Sequence, residues 1–178
     1  MNDDTDRMEL DLGRVETRST FSFDRTFDLP TPEGGNAACA VAVSAAVTRS
    51  AGSYAIEARV KGSIRAECHR CLVPFALPVD TVFTFVLNRG EGSTLPEGAE
   101  EDIVSIPVKG EATYDLYPRV REALILEIPI KLLCREDCGG VCRKCGKNLN
   151  EGECGCDPET GDPRWGALRK FLNGENKT

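Results

Sequence analysis

Residues 133–156 read LCREDCGGVCRKCGKNLNEGECGC and contain six of the nine cysteines of the chain. Glycine and charged residues separate these cysteines, and apolar side chains are few. Burial of so little apolar surface gains too little free energy for a hydrophobic core to order the segment. Thiolate coordination of a metal orders short segments of this kind, so the stretch predicts a metal-bound module.

A second cysteine motif, Cys68-His69-Arg70-Cys71, precedes this stretch by more than sixty residues. A Cys-x-x-Cys turn places two thiolates on one tetrahedral ion, and two such turns complete a closed zinc site. A closed site has no position for water, so we expect one or two structural zinc ions without a catalytic role. The eight predicted ligands are Cys68, Cys71, Cys134, Cys138, Cys142, Cys145, Cys154 and Cys156.

The spacing leaves two ways to divide the eight cysteines. The favoured division forms a zinc-ribbon-like site from Cys142, Cys145, Cys154 and Cys156, and a second site from Cys68, Cys71, Cys134 and Cys138. The alternative groups Cys134 and Cys138 with Cys142 and Cys145, and leaves Cys68 and Cys71 to the last two cysteines. An iron–sulfur cluster is the main alternative to zinc. His69, the one histidine, is interpreted as a residue of the turn that does not bind the metal.

Composition sets the limits for the rest of the chain, which has 178 residues, 40% hydrophobic residues and a formal net charge of -7. This length fits one domain, or one domain with a small module. An acidic chain gains no global attraction to nucleic acid. The N-terminus lacks a signal-peptide pattern, and no apolar run approaches the ~20 residues of a membrane span. We therefore expect a soluble cytoplasmic protein without membrane contact, whose thiols stay reduced.

Alternating apolar and polar residues predict a β-rich domain over residues 1–130. The longest alternation runs from Ile56 to Cys68, between similar patterns at 39–47 and 79–87. Three successive strands of this kind form an antiparallel meander or a small barrel-like sheet. Shorter alternations at 8–12 and 21–27 predict further strands on the same core.

One main helix is predicted after the sheet, which makes the fold class α+β. Asp115 is the candidate N-cap, Pro118 is tolerated in the first turn, and Pro129 ends the helix. The apolar stripe consists of Leu116, Val120, Leu124 and Ile128.

Residues 131–178 are predicted to form the cysteine-rich zinc-binding module. A short amphipathic helix is expected near its end, starting at Asp162-Pro163, with Trp165 as a core anchor beside Leu168, Phe171 and Leu172. Before the main helix, residues 91–102 hold five acidic residues and no basic one, and predict a solvated connection. Pro107 would confine the extended segment 103–108 to a sheet edge.

Charge is distributed unevenly along this acidic chain. Residues 131–149 hold five basic and two acidic residues, a local balance of +3. A basic surface on an acidic body can touch RNA locally; the competing interpretation is solvated charge around a structural metal. The candidate contact residues are Lys131, Arg135, Arg143, Lys144, Lys147 and Arg164.

The sequence contains no pattern typical of an enzyme. A Ser/His/Asp set, a phosphate-binding glycine loop and a His-rich open metal site are all missing from it. We expect neither catalysis nor a small-molecule substrate. The alternative function is a zinc-dependent thiol redox switch, or a chaperone-like protein, in which oxidation ejects zinc and unfolds the module.

Two groups of residues resemble landmarks of the YceD family, the large ribosomal RNA subunit accumulation proteins. The first comprises Cys68-x-Arg70-Cys71-Leu72, Pro74-Phe75, Asp115-Leu116, Leu126-x-Ile128-Pro129 and Leu133-Cys134. The second comprises Cys138, Gly140, Cys142-x-x-Cys145-Gly146, Asn148-Leu149-Asn150, Cys154-x-Cys156 and Asp162-Pro163-Arg164. The resemblance covers residues 10–172.

This resemblance implies a bacterial cytoplasmic factor, with plastid relatives, that is needed for large-subunit ribosomal RNA to be processed or to accumulate. Its implied partner is the large-subunit precursor, through ribosomal RNA, ribosomal proteins or both. The family offers no established catalytic residues to carry over. Some of its branches keep the first cysteine pair and lack most of the later cluster. The length and charge of the acidic stretch 91–102 depart from the family pattern.

Overall fold

The computed structural model describes residues 7–32, 34–50, 53–88, 104–107 and 113–156. Within them lie seven strands and one α-helix: β1 (Glu9–Asp11), β2 (Arg18–Pro30), β3 (Asn36–Ser50), β4 (Ser53–Glu67), β5 (Pro74–Asn88), β6 (Val104–Pro107), β7 (Thr113–Asp115) and α1 (Tyr117–Glu127). Short 3-10 turns occupy Leu12–Arg14 and Leu149–Glu151.

The main sheet has five strands in the order β2-β3-β4-β5-β6. The strands β2 to β5 run antiparallel to their neighbours, so the predicted meander is present and is extended by β2. At the far edge β6 pairs with β5 in parallel. The edge position agrees with the expectation from Pro107, but the parallel direction has no signal in the local pattern.

One face of this sheet forms the core because alternate side chains of each strand point to the same side. Val43, Ala45 and Val47 of β3 are buried there, opposite Val60, Ala58 and Ile56 of β4. Helix α1 covers this face with Val120 and Leu124, together with Leu116 at its N-cap, and Ile128 packs at its margin. Each fully buried Val, Leu or Ile stabilises the fold by about 1.5–3 kcal/mol.

A second, two-stranded sheet pairs β1 with β7 and joins the start of the chain to the start of α1. The alternating residues Met8, Leu10 and Leu12 are fully buried, as their spacing predicts. The prediction of Asp115 as N-cap is wrong by one residue, because Leu116 occupies that position without a side-chain cap. The Asp115 carboxylate instead accepts the N–H groups of Tyr117 and Met8, each at 3.0 Å. It thereby ties the N-terminal strand to the helix.

Several predictions fall outside the described residues. They include the acidic connection 91–102, the terminal helix with Trp165, and the position of Arg164. The division of the chain near residue 130 stays a prediction.

Candidate metal centres

The first candidate centre begins where β4 ends, at a tight turn that we call the inner knuckle, residues 68–72. The Leu72 N–H donates to the Cys68 carbonyl at 2.8 Å, and the Cys68 N–H donates to the Val73 carbonyl at 3.1 Å. These bonds close the turn before β5 starts at Pro74. Leu72 has a φ of 60°, in the left-handed region.

The segment after α1 lies against this knuckle. The His69 N–H donates to the Leu132 carbonyl at 2.8 Å, and the Leu132 N–H lies 3.4 Å from His69 Nδ1. Cys134 and Cys138 are thereby placed opposite Cys71 and Cys68. The sulfur–sulfur distance is 3.7 Å both for Cys68 with Cys138 and for Cys71 with Cys134.

These four cysteines, Cys68, Cys71, Cys134 and Cys138, are called the inner cluster. Their sulfur atoms all lie within 4.8 Å of one another. A tetrahedral zinc ion with Zn–S bonds of about 2.3 Å requires sulfur atoms about 3.8 Å apart. The donor set and the separations of 3.7 Å therefore fit zinc. Three of the four residues are at most 5% exposed and Cys134 is partly buried, so the site is largely shielded from solvent.

The thiols of the inner cluster differ in their readiness to ionise. Burial opposes ionisation of Cys68, but hydrogen bonds with the backbone of Cys134, Cys71 and Arg70 outweigh it and lower its pKa to about 6. Burial, with hydrogen bonding to Cys71, raises the pKa of Cys134 to about 12. Without a cation, the first thiolate to form opposes the others by like-charge repulsion. A divalent cation would remove that repulsion and allow all four to ionise.

Two side chains outside the predicted ligand set hold the inner cluster in place. Asn150 Nδ2 lies 3.3 Å from the sulfur of Cys138, and this bond lowers the pKa of that thiol. Asn150 Oδ1 accepts the Gly139 N–H at 2.8 Å. Arg70 Nη1 donates to the Cys138 carbonyl at 3.0 Å. Such partners fix the orientation of metal ligands. Sequence reasoning assigned no role at the site to either side chain, although both belong to the family landmarks quoted above.

The second candidate centre, the outer cluster, consists of Cys142, Cys145, Cys154 and Cys156, whose sulfur atoms also lie within 4.8 Å of one another. Residues 142–146, the outer knuckle, repeat the turn of the inner knuckle. The Gly146 N–H donates to the Cys142 carbonyl at 2.8 Å, and the φ of Gly146 is 73°. The two centres thus contain the sets of four that the favoured division names.

The outer cluster is more accessible than the inner one. Cys145 is exposed, and the other three cysteines are partly exposed. Hydrogen bonds with the backbone of Cys145 and Lys144 lower the pKa of Cys142 to about 6. Hydrogen bonds with the thiols of Cys145 and Cys154 raise the pKa of Cys156 to about 12. Here too the four sulfur atoms need a cation to ionise together.

Backbone contacts join the two centres. The Val141 N–H donates to the Arg70 carbonyl at 3.1 Å, and the Leu149 N–H donates to the Gly140 carbonyl at 2.8 Å. Gly140 has a φ of 75°, and a β-carbon there would lie 3.1 Å from the Arg70 carbonyl oxygen. Glycine therefore permits both the backbone turn and the close approach.

The predicted contact residues divide into two groups in the structure. Arg135 pairs with Asp137 at 3.3 Å and donates to Asn150, while Lys147 donates to the Glu153 carbonyl at 2.7 Å. These two side chains support the loop. The second group, Lys131, Arg143 and Lys144, is exposed and makes no ion pair among the described residues.

The ninth cysteine, Cys39, lies in β3 away from both clusters. It is fully buried, and burial raises the pKa of its thiol to about 11. A thiol with these properties is inert and packs as an ordinary core side chain.

The fold and both centres together define a β-sheet protein with one α-helix and two four-cysteine groups within the described residues. The family model described as large ribosomal RNA subunit accumulation protein YceD matches residues 56–172, which include both clusters. The chain belongs to the YceD family. None of the helices in the described part is long and apolar enough to cross a membrane.

Several curated proteins are similar to this chain. An uncharacterized protein of Mycobacterium tuberculosis is 37% identical over 123 residues, which cover 67% of this chain and 58% of the relative. The Arabidopsis thaliana protein named large ribosomal RNA subunit accumulation protein YCED homolog 1, chloroplastic, is 33% identical over 95 residues, covering 51% of this chain and 29% of the relative. The chain thus spans at most 58% of the length of these two relatives. No solved structure matches it.

Proposed function

We propose that this protein is a non-catalytic cytoplasmic factor in the biogenesis of the large ribosomal subunit, required for its ribosomal RNA to be processed or to accumulate. Family membership over residues 56–172 is the observation that carries the proposal. The names of the plant relatives point the same way. The partner is the large-subunit precursor.

Structural zinc in both clusters is part of this proposal. Two sets of four sulfur atoms, each set within 4.8 Å, support it, because thiolates held so closely need a cation. We infer that the outer cluster and its knuckle form a small zinc-ribbon-like module. Residues 131–178 would then be the metal-bound part of the chain, attached to the β-rich part through the inner cluster.

The outer knuckle is the proposed contact with ribosomal RNA. Arg143 and Lys144 stand at its tip, exposed and free of ion pairs within the described residues, and Lys131 is exposed nearby in sequence. Their charges favour phosphate groups, whereas the net charge of -7 on the whole chain opposes non-specific binding elsewhere. The contact is therefore local.

The proposal is tested by depleting the protein from the cells that make it and measuring large-subunit precursor RNA and ribosomal particle profiles. Precursor RNA should build up and mature large subunits should fall. Re-expression of wild type should restore the profile, and Arg143→Ala with Lys144→Ala should restore it only in part. Arg59→Ala with Arg65→Ala, two exposed arginines of β4, is the matched control and should restore it fully. Unchanged profiles after depletion would refute the role.

A thiol redox switch at the outer cluster is the second candidate, favoured by the exposure of Cys145. Mild peroxide would then release zinc in proportion to the thiols oxidised and produce chaperone activity. Retention of zinc under the same treatment would count against this function.

A further inference from the structure

The two edges of the main sheet differ in length and shape. At one edge β6 has four residues and ends in Pro107, which limits further pairing. At the other edge β2 runs for 13 residues, and no strand in the described part of the chain pairs with its outer side. Its register with β3 is continuous from Arg18 to Pro30, so no bulge bends it away from a partner. An edge of this kind presents a row of backbone donors and acceptors with which another strand can pair.

The core-facing side chains of β2 are unevenly covered along the strand. Phe27 and Leu29 are at most 1% exposed, whereas Phe21 and Phe23 are only partly buried by the described residues. The guanidinium carbon of Arg25 lies 5.9 Å from the centre of the Phe23 ring. A strand added beside β2 would cover more of both rings, and burial of aromatic surface favours association.

The sequence of β2 is complementary to itself when a second copy of the strand runs in the opposite direction. The pairing is centred on Phe23, which then lies opposite the Phe23 of the second copy. The flanking pairs are Arg18 with Asp28, Thr20 with Thr26, and Ser22 with Asp24. Opposite charges, threonine pairs and aromatic pairs are all favourable across antiparallel strands. Residues 18–28 hold two basic and two acidic residues, so no net charge of the segment opposes this pairing.

Neighbouring registers lose this complementarity. A register centred on Asp24 places that carboxylate opposite its own copy, and like charges that face each other are unfavourable. A register centred on Ser22 brings Asp28 opposite Glu16, again two like charges. A slip of a single residue would set the core face of one strand beside the outer face of the other. The residues of β2 therefore favour the register centred on Phe23.

We propose that two copies of this chain associate through β2, antiparallel about a two-fold axis at Phe23, so that their five-stranded sheets continue as one. Side chains of the same face meet in this arrangement, so the α1 helices of both copies lie on the same side of the joined sheet. The inner cluster follows β4, which β3 separates from this edge. The proposal is independent of any role in ribosome biogenesis.

Charge reversal at the ends of the paired segment tests both the interface and its register. Sedimentation velocity over a wide range of concentrations should show wild type in equilibrium between monomer and dimer. Arg18→Asp alone, or Asp28→Arg alone, places like charges opposite each other at both ends and should weaken dimerisation about tenfold or more. Mixed in equal amounts, the two variants should associate as strongly as wild type, because opposite charges then meet at both ends. Arg59→Asp, at an exposed arginine of β4, is the control and should leave the dimer unchanged.

Thermal unfolding of each variant checks that the fold is kept, and recovery on mixing separates a lost contact from a damaged chain. Three results would overturn the proposal. The first is a wild type that stays monomeric up to hundreds of micromolar. The second is a dimer that neither charge reversal weakens, which would place the interface elsewhere. The third is a mixture of the two variants that associates no more strongly than each variant alone.

Discussion

The inner and outer clusters offer the same four donors in different surroundings. The inner cluster joins residues 63 and 70 positions apart, and three of its side chains are at most 5% exposed. The outer cluster lies within residues 142–156, and its side chains are partly or fully exposed. The same arrangement of four cysteines therefore has two settings: the inner cluster connects distant parts of the fold, and the outer cluster lies within one local loop.

Removing a ligand from the inner cluster should have the largest effect. A structural zinc contributes on the order of 10 kcal/mol to folding, so Cys138→Ser should abolish the cooperative unfolding transition or shift it far downwards. Thermal unfolding followed by circular dichroism, with metal content measured on the same sample, is the test. A transition equal to that of wild type would show that the inner cluster does not close the fold.

The same substitution in the outer cluster should act locally. With zinc in both clusters, as proposed above, Cys145→Ser should lower the zinc content by one ion and speed tryptic cleavage of residues 131–178. The main sheet should unfold within about 1 kcal/mol of wild type, since surface changes away from the core have small effects. Cleavage at the wild-type rate would mean that Cys145 is not a ligand.

Substitution of Asn150 tests whether the loop of the outer cluster supports the inner cluster. Asn150→Ala removes a donor to the Cys138 sulfur and an acceptor for the Gly139 N–H, which should cost about 1–3 kcal/mol and speed release of the inner-cluster metal to a chelator. Asn36→Ala, which removes a surface bond to Asp28 at 2.7 Å, is the matched control. Equal chelation rates for both variants would contradict a role for Asn150 at the inner cluster.

Exchanging the residues that distinguish the knuckles should destabilise the outer turn but not the inner one. Leu72→Gly should relieve strain and leave the free energy of unfolding unchanged or raised by up to about 1 kcal/mol, and Gly146→Leu should destabilise the outer loop by about 1–2 kcal/mol. Urea unfolding measures the first change, and proteolysis of the outer loop measures the second. Changes of the same sign would show that the two turns are not equivalent.

We expect Cys39 to be the least reactive of the nine cysteines, so its rate of alkylation serves as the reference for the thiols of the two clusters. With chelator present in mildly alkaline buffer, outer-cluster thiols should be alkylated first, inner-cluster thiols next and Cys39 last, because Cys39 is fully buried in the core of the sheet and the reagent cannot reach it without unfolding. Mass spectrometry of the modified peptides over time gives the order. Modification of Cys39 alongside Cys145 would contradict the assignment of Cys39 to a closed core.

The local pattern predicted much of the fold, because a strand with one buried face alternates apolar and polar residues. Residues 56–68 show this alternation. The pairing of β1 with β7 was not predictable in this way, since two three-residue strands more than a hundred positions apart carry no local sign of their partner. The hydrogen bond from the Met8 N–H to the Asp115 carboxylate depends on the same pairing, so it was not predictable either. The parallel direction of β6 also depends on chain geometry.

The candidate site shows the same division. Cysteine spacing predicted eight clustered thiols. Their division into two groups depends on the tertiary fold, because β4 ends beside the segment that follows α1 and so places Cys68 there. The left-handed Leu72 could not be predicted, since leucine rarely adopts that conformation. Asn150 was overlooked because its bond to Cys138 depends on how the outer loop folds back.

The long separation within the inner cluster has a consequence for protein synthesis. Cys134 follows Cys71 by 63 residues. At about 5–20 residues per second, the first two thiols of a nascent chain stay without their partners for on the order of ten seconds. A chain that stops before Cys134 already contains the whole β4–β5 hairpin but keeps only half of the site, so the inner cluster can close only in a chain that extends through Cys138.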